Sequence, residues 1–209
     1  MNTRNFIVTD LETSGLDPDQ GAEIVQIAAK AIVGTSLKDH PSGEFEVIIK
    51  PEHPELASPK AIEVIGQDLW NKALKEGLDR KTALKKYLAF CESVNDAKSK
   101  SNKPMFVGHN AKFDFNFLAK VMIKDKIIEN SDDVPYHYNY LCTMQMVFEL
   151  FETDPDVRDY RLDTALKIFG KARASSLHDA MEDTRATAAL FVRFLKTFRE
   201  VRRRLKIQA

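Results

Sequence analysis

Residues 6–12 read Phe-Ile-Val-Thr-Asp-Leu-Glu, a β-forming stretch that ends in two acids. Residues 14–18 (Ser-Gly-Leu-Asp-Pro) have the composition of a turn. Residues 23–33 and 44–50 predict two further strands, joined by a turn over residues 34–43, which begin and end with glycine. Because these three strands follow one another closely, the front of the chain predicts an antiparallel meander.

After residue 51 the pattern changes to helices that alternate with short strands. Residues 105–108 and 140–142 are short apolar segments that predict two strands, and helical periodicity follows each of them. Further apolar residues at helical spacing include Ile62, Ile65, Leu69, Leu84, Leu88, Cys91, Phe117, Leu118, Val121 and Met122. Helices are also expected at residues 143–151 and 162–169. This order predicts an α/β fold: a mixed five-stranded sheet, formed by the meander and two parallel strands, with helices on both faces.

The last helix has the clearest sequence signals. Asp179, with Glu182 three residues later, predicts its N-terminal cap. Its expected inward face comprises Met181, Thr184, Ala188, Phe191, Leu195 and Phe198. Two segments with few apolar residues, 92–103 and 129–139, predict loops, and the sequence leaves open whether they bind substrate or only cover the surface.

Composition suits one folded domain over residues 1–209, because 44% of the residues are hydrophobic. The 31 Lys and Arg balance 31 Asp and Glu, which argues against binding nucleic acid through bulk charge alone. The balance is uneven: residues 1–60 sum to −5, whereas the basic tail, residues 193–209, sums to +6. Without a membrane-length apolar run or a signal peptide, we expect an intracellular, cytoplasmic protein with no membrane partner, and we expect Cys91 and Cys142 to be buried.

Asp10 and Glu12 form the first candidate site. The two-residue period of a strand places both carboxylates on one face, together with Phe6 and Val8. Two acids on a face that enters the core would repel each other, and a divalent cation would relieve that conflict. Because the chain has 17 Asp and 14 Glu, however, about one Asp-x-Glu is expected by chance, so the motif alone decides nothing.

Two further clusters carry potential chemistry. Asp114 lies near the start of the helix that follows residues 105–108, where an ordinary first-turn acid is the alternative. His109, in the same segment, suits a structural hydrogen bond better than a catalytic base. His178 precedes the last helix and Asp183 lies in its second turn, so a loop histidine can stand beside a fixed carboxylate. The alternative for His178 is an exposed loop residue.

Together these clusters resemble the DEDDh group of DnaQ-like 3′→5′ exonucleases, which have an RNase H-like fold. The resemblance covers about residues 5–198. The segments that carry it are F-I-V-T-D-L-E-T-S-G-L, V-G-H-N-A-K-F-D-F-N-F-L and L-H-D-A-M-E-D-T-R-A-T-A-A-L-F. A tyrosine-bearing sister group places Tyr one residue after the position of His178, whereas this chain has Asp179 there.

The resemblance implies the catalytic residues and the reaction. Asp10, Glu12, Asp114 and Asp183 would hold two Mg²⁺ or Mn²⁺ ions, and His178 would be the general base. Their set of oxygen ligands, with no Cys/His cluster, argues against zinc. The expected reaction releases nucleoside 5′-monophosphates from single-stranded or frayed 3′ ends of DNA or RNA.

The resemblance also implies contacts to the terminal nucleotide. Thr13 and Leu16 would grip it, and Asn110 and Phe113 would shape the same pocket. The alternative for residues 13–16 is an ordinary turn that closes on a core leucine. An apolar wedge or stacked ring is tolerant of base identity, so little base specificity is expected.

Three functional alternatives and two kinds of partner remain open. The chain is a free-standing exonuclease, a proofreading subunit that works with a DNA polymerase, or a catalytically inactive module that binds nucleic acid. The complete ligand set argues against the inactive module. A polymerase or a second copy of the chain is a possible partner. The basic tail is either a solvated helix end or a contact to substrate or partner.

Overall fold

A computed structural model of the protein describes residues 4–95, 102–170 and 178–206. Five strands form one sheet in the order β3-β2-β1-β4-β5. Their bounds are Phe6–Thr13 (β1), Ile24–Ile32 (β2), Asp39–Ile48 (β3), Met105–Gly108 (β4) and Tyr140–Cys142 (β5). The pairs β1–β2 and β2–β3 are antiparallel, while β1–β4 and β4–β5 are parallel. The predicted mixed sheet is therefore confirmed.

Seven α-helices surround this sheet in the described residues. They are α1 (Pro59–Ile65), α2 (Gln67–Glu76), α3 (Arg80–Ser93), α4 (Ala111–Lys124), α5 (Thr143–Phe151), α6 (Leu162–Ile168) and α7 (Ala180–Arg204). Gly66, at φ 85°, ends α1 and begins α2. Short 3₁₀ turns lie at Pro18–Gln20, Pro54–Leu56 and Ser131–Asp133.

The core has a layer on each face of the sheet. On one face, Ile7 and Leu11 of β1 pack with Tyr87 of α3 and Leu118 of α4. On the other face, Phe6 and Val8 pack with Phe191 of α7, whose ring meets Phe6 edge-on at 4.9 Å. Successive residues of β1 thus face opposite helical layers, as a period of two requires, and the predicted helices on both faces are confirmed.

The third strand is longer than predicted. We expected a turn over residues 34–43, but the chain reverses between Val33 and Lys38, where Leu37 takes a φ of 56°. The strand then begins at Asp39 and includes Pro41. It lies at the edge of the sheet, where a residue without an N–H can be accommodated, so Pro41 does not prevent a strand there.

The end of α7 also departs from the prediction. Met181, Thr184, Ala188 and Phe191 are buried as expected, but Phe198 is 40% exposed. The guanidinium of Arg199 donates to the carbonyl oxygens of Gly34 and Thr35, in the turn that precedes β3. The helix therefore passes the end of the sheet near Arg199, and its last two turns have no strand to cover.

Within the basic tail, Phe194 is buried and Arg199 bonds to the turn before β3, whereas residues 201–206 are an exposed helix end. Arg203 and Arg204 donate to Glu200 of the same helix, and all three are at least partly exposed. Residues 207–209 of the tail lie outside the described residues.

The two predicted loops differ in character. Residues 129–139 contain a short 3₁₀ turn, but Val134 and Tyr136 are buried in the main core, so part of this loop is structural. In the other segment, α3 continues to Ser93, and residues 96–101 lie outside the described part of the chain. Cys91 and Cys142 are buried as predicted. Among the described helices, none combines the length and apolar character needed to cross a membrane.

Candidate active site

Two carboxylates lie at the end of β1, at the centre of the sheet. Phe6 and Val8 face α7, so the strand period places Asp10 and Glu12 on that same side. Asp10 is half-buried, whereas Glu12 is 5% exposed and lies next to a register shift between Glu12 and Thr13. The predicted shared face is borne out, and it is directed at the helix that carries Asp183.

Asp114 approaches β1 from the other side, in the first turn of α4. Its Oδ1 accepts a hydrogen bond from the backbone N–H of Leu11 at 3.1 Å. The side chain is buried, and burial raises the pKa of Asp114 to about 8. Asp114 therefore needs a nearby positive charge to be ionised, and a bound metal ion would supply that charge.

The tight turn between β4 and α4 places Asp114. Asn110 precedes the helix in the left-handed conformation, at φ 68°, which asparagine tolerates better than most residues. At Gly108 an added Cβ would lie 3.0 Å from Ala111 Cα, so this step favours glycine. The short connection brings the first turn of α4 directly beside β1.

His109, within that turn, is a structural residue. Its Nδ1 lies 2.9 Å from Thr143 Oγ1, and its Nε2 lies 2.9 Å from the carbonyl oxygen of Tyr160. The ring therefore joins the end of β4 to the start of α5 and to the segment before α6. This supports the sequence interpretation of His109 as a hydrogen-bonding residue rather than a base.

The start of α7 presents His178 and Asp183. Asp179 caps the helix as predicted, because its Oδ1 accepts from the N–H groups of Met181 at 3.0 Å and Glu182 at 2.9 Å. The His178 side chain is 44% exposed, and its Nδ1 lies 3.8 Å from Asp183 Oδ2. Asp183 is buried. A half-exposed imidazole beside a buried carboxylate agrees with the arrangement that the sequence predicted.

The end of β1 and the start of α7 bring three of the predicted site residues close enough to bind one metal ion. One potential ligand atom from each of Glu12, His178 and Asp183 lies within 4.8 Å of the others. Asp10 and Asp114 are outside this group, although Asp114 bonds to the residue between Asp10 and Glu12. Clustered, buried carboxylate oxygens fit a hard divalent cation.

A cleft between the loop that follows β1 and the start of α4 gathers three of the four predicted substrate residues. It has a volume of about 310 Å³, and its lining includes Leu16, Asn110 and Phe113 together with Lys112 and Lys120. Leu16 is 86% exposed, so the alternative of a core leucine is wrong. Thr13 is not part of this lining, and its Oγ1 donates to the Gly15 carbonyl oxygen at 2.7 Å.

An ion-pair cluster formed by Arg80, Asp125 and Glu23 was not identified from the sequence. Arg80 donates to both carboxylate oxygens of Asp125, at 2.6 and 2.7 Å, and to Glu23 at 3.0 Å. Glu23 in turn bonds through its backbone to Ser14, next to Thr13. These partners are far apart in the chain, so no local pattern could have identified them.

Gln26 was also missed, although it gave a signal. It is a lone amide within the apolar strand Ile24–Ile32, and it is 1% exposed. A buried polar side chain in such a strand requires hydrogen-bond partners, and those of Gln26 lie on β3, at Glu46, and at the start of α7, at Ala180.

Comparison with known proteins identifies the family. The profile of a family described as exonuclease matches residues 7–191. The chain belongs to this exonuclease family. The predicted resemblance is thereby confirmed, and so is the prediction of a 3′→5′ exonuclease domain at the level of the family. Enzymes of this family depend on divalent metal ions.

Individual relatives agree with this assignment. The DNA polymerase III PolC-type of Thermotoga maritima is 30% identical over 196 residues, which cover 94% of this chain and 12% of that protein. The 3′-5′ DNA exonuclease Cap18 of Escherichia coli is 28% identical over 191 residues, 89% of each chain. This exonuclease-family chain thus spans about one-eighth of the PolC-type relative but most of Cap18.

A solved structure supports the fold. The nuclease domain of 3′hExo, a DEDDh family member solved with bound rAMP, superimposes with a TM-score of 0.66 over 93% of both chains. At 15% sequence identity, this likeness concerns the arrangement of the backbone.

Proposed function

We propose that this exonuclease-family chain removes nucleoside 5′-monophosphates, one at a time, from single-stranded or frayed 3′ ends. One observation carries the proposal: a potential ligand atom from each of Glu12, His178 and Asp183 lies within 4.8 Å of the other two. The cleft that contains Leu16 and Phe113 provides a place for the terminal nucleotide.

The proposed cofactor is a pair of Mg²⁺ or Mn²⁺ ions, held by Asp10, Glu12, Asp114 and Asp183. When bound, such ions lower the pKa of a water molecule and stabilise negative charge on the scissile phosphate and its leaving oxygen. The four carboxylates supply only oxygen donors, and burial of Asp114 and Asp183 favours a site that gains a cation.

His178 acts as the general base in this proposal. Its side chain is half-exposed at the start of α7, so one ring nitrogen can face the attacking water and accept its proton. Asp183, 3.8 Å from Nδ1, stabilises the imidazolium that results. The 3′-oxygen of the preceding nucleotide leaves, and the phosphate departs with the released nucleotide as a 5′-monophosphate.

The cleft residues hold the terminal nucleotide. Exposed Leu16 packs against the last base, and the Phe113 ring forms part of the opposite lining. Asn110, in the lining of the cleft, supplies a polar group for the sugar. Contacts of this kind tolerate any base, so they suit stepwise removal of a mixed sequence.

A second candidate is proofreading together with a polymerase. The 30% identity to the PolC-type polymerase over 196 residues favours it, because in that protein the matching region is a small part of a replicative polymerase. The chemistry is the same in both candidates, and only the source of the frayed 3′ end differs.

The test offers 5′-labelled single-stranded DNA, single-stranded RNA and duplexes with paired or mismatched 3′ ends, each with Mg²⁺ or EDTA. The proposal predicts a ladder that shortens from the 3′ end only with metal, faster on single strands and mismatched ends than on paired ends. Comparing the two single strands identifies the sugar. Absence of degradation of every substrate, with Mg²⁺ and with Mn²⁺, would overturn the proposal.

A further inference from the structure

Gln26 joins the strand next to the candidate site to the helix that carries the base. It lies on β2 directly opposite Glu12 in the register of the sheet. Its Oε1 accepts a hydrogen bond from the backbone N–H of Ala180 at 3.1 Å. Its Nε2 donates to Glu46 Oε1 of β3 at 2.8 Å and lies 3.5 Å from Asp179 Oδ2.

A buried amide in an apolar strand is costly unless its polar atoms are satisfied. Val25 and Ile27, on either side of Gln26, are fully buried. A hydrophobic residue would suit the strand itself as well, so the reason for an amide lies in its partners. Two of them, Ala180 and Asp179, belong to the first residues of α7.

The hydrogen bond between Gln26 and Ala180 joins α7 to β2, whereas the hydrogen bonds of the helix cap do not. Asp179 already accepts from Met181 and Glu182, and those bonds stay within α7 and its cap. In the described part of the chain, three hydrogen bonds that involve a main-chain group tie the start of α7 to other elements: the Gln26 bond, one from Thr184 Oγ1 to the carbonyl oxygen of Ala28 on β2 at 3.4 Å, and one from the N–H of His178 to the carbonyl oxygen of Val64 at 3.2 Å. The remainder of α7 is anchored farther along by Phe191 and by the ion pair between Arg185 and Glu44.

We propose that Gln26 is a positioning residue that holds His178 at its working distance from Glu12 and Asp183. His178 lies two residues before Ala180, and Asp183 lies three residues after it. Of these three hydrogen bonds, the Gln26 bond is the one at Ala180, between His178 and Asp183, so its loss would loosen the turn that sets the separation of these two residues. The effect on rate rests on the proposed function, whereas the effect on the helix start does not.

The principal variant is Gln26→Met, which preserves side-chain length and removes both hydrogen bonds. Because a misplacement of about 1 Å can reduce a rate by about 100-fold, we expect kcat to fall between ~10- and ~100-fold with KM within about 2-fold. The matched rescue is the pair Gln26→Glu with Glu46→Gln. It exchanges donor and acceptor between the two side chains while retaining an oxygen for the Ala180 N–H.

A double-mutant cycle with His178→Ala separates positioning from a general loss of structure. If Gln26 acts through His178, Gln26→Met should change the residual kcat of His178→Ala by less than ~3-fold, because the group it positions is absent. Hydrogen exchange of the metal-free protein provides a readout without catalysis. In Gln26→Met the amides of residues 180–183 should exchange at least ~10-fold faster than in the wild type, while β1 is unchanged.

Three results would overturn the inference. The first is a folded Gln26→Met protein with wild-type kcat and wild-type exchange at residues 180–183. The second is an equal fold-loss of kcat with and without His178, and the third is a failure of the exchanged pair to recover kcat above Gln26→Glu alone. If the wild type degrades no substrate, the proposed function fails, and the exchange experiment still decides whether Gln26 holds the helix start.

Discussion

The backbone N–H of Leu11 donates to Asp114 Oδ1 over 3.1 Å, which joins the first turn of α4 to the acidic end of β1. Strand β4 pairs with β1 only from Phe6 to Val8. Beyond Val8 the side of β1 that faces β4 continues without that neighbour, and the Asp114 carboxylate provides the acceptor for Leu11. One side chain thus accepts a hydrogen bond from the strand at the residue that lies between the two predicted ligands of β1 in the sequence.

Asp114→Asn should separate these two roles, because an amide oxygen can still accept from Leu11. We expect kcat at saturating Mg²⁺ to fall at least ~100-fold, since an essential charge is lost. Without metal, the midpoint of thermal unfolding should be unchanged or higher, because burial raises the pKa of Asp114 and so penalises its charged form. Asp132→Asn, an exposed acid, is the control and should change neither quantity. Near-normal kcat in Asp114→Asn would argue against Asp114 as a metal ligand.

Leu16→Ala should weaken binding of the 3′ end more than it slows chemistry. Leu16 is 86% exposed in the lining of the cleft, so its truncation should cost little stability. Burying a leucine side chain contributes about 1.5–3 kcal/mol, which predicts a rise in KM of roughly 10- to 150-fold. Steady-state kinetics on a single strand measures it. Leu56→Ala, another exposed leucine outside this lining, should leave KM unchanged, and an equal effect of both variants would dismiss the wedge role.

Arg80→Met should destabilise the protein by about 3–5 kcal/mol, because it leaves the buried carboxylates of Glu23 and Asp125 without their cation. Denaturant unfolding at neutral pH measures the change. Lys60→Met breaks an exposed pair with Glu63 and should cost less than about 1 kcal/mol. Equal costs for the two variants would show that the Arg80 cluster contributes no more than a surface ion pair.

Glu44 should contribute to stability in a defined acidic range. Hydrogen bonds from Arg185 and Lys30 lower the pKa of Glu44 from 4.5 to about 2. A depressed pKa in the folded state means that the contribution is fully present above pH ~4.5 and is lost as the pH falls towards ~2. Because the pair is partly exposed, the size should be about 1 kcal/mol or less. Glu44→Gln should flatten this part of the stability curve, and identical curves for wild type and variant would contradict the assignment.

The mixed sheet and the succession of its strands along the chain could be predicted because each strand has a local signal. The alternation in β1, the short apolar segments of β4 and β5 and the Asp179 cap all lie within a few residues of the structure they specify. The errors arose where tertiary position overrides local chemistry. Pro41 is accommodated because β3 is an edge strand, and Phe198 is exposed because α7 is longer than the sheet it covers.

In the candidate site, too, local signals could be predicted from the sequence, whereas contacts between distant residues could not. His178 and Asp183 were placed correctly relative to each other by the helix cap between them. The partners of Arg80 and Gln26 depend on contacts between residues far apart in the chain, which no spacing rule encodes. Thr13 was expected in the nucleotide pocket with Leu16, yet its hydroxyl bonds within its own turn and it does not line the cleft.

The most direct test of the central proposal identifies the released nucleotide and shows whether an oxygen atom from water is incorporated into its phosphate. A single-stranded oligonucleotide is incubated with the protein and Mg²⁺ in H₂¹⁸O, and the released nucleotides are analysed by mass spectrometry. Metal-dependent hydrolysis from the 3′ end predicts nucleoside 5′-monophosphates that carry one ¹⁸O on phosphate, with no release in EDTA or by Asp183→Asn. Release of nucleoside 3′-monophosphates, loss from the 5′ end, or equal release in EDTA would contradict the account.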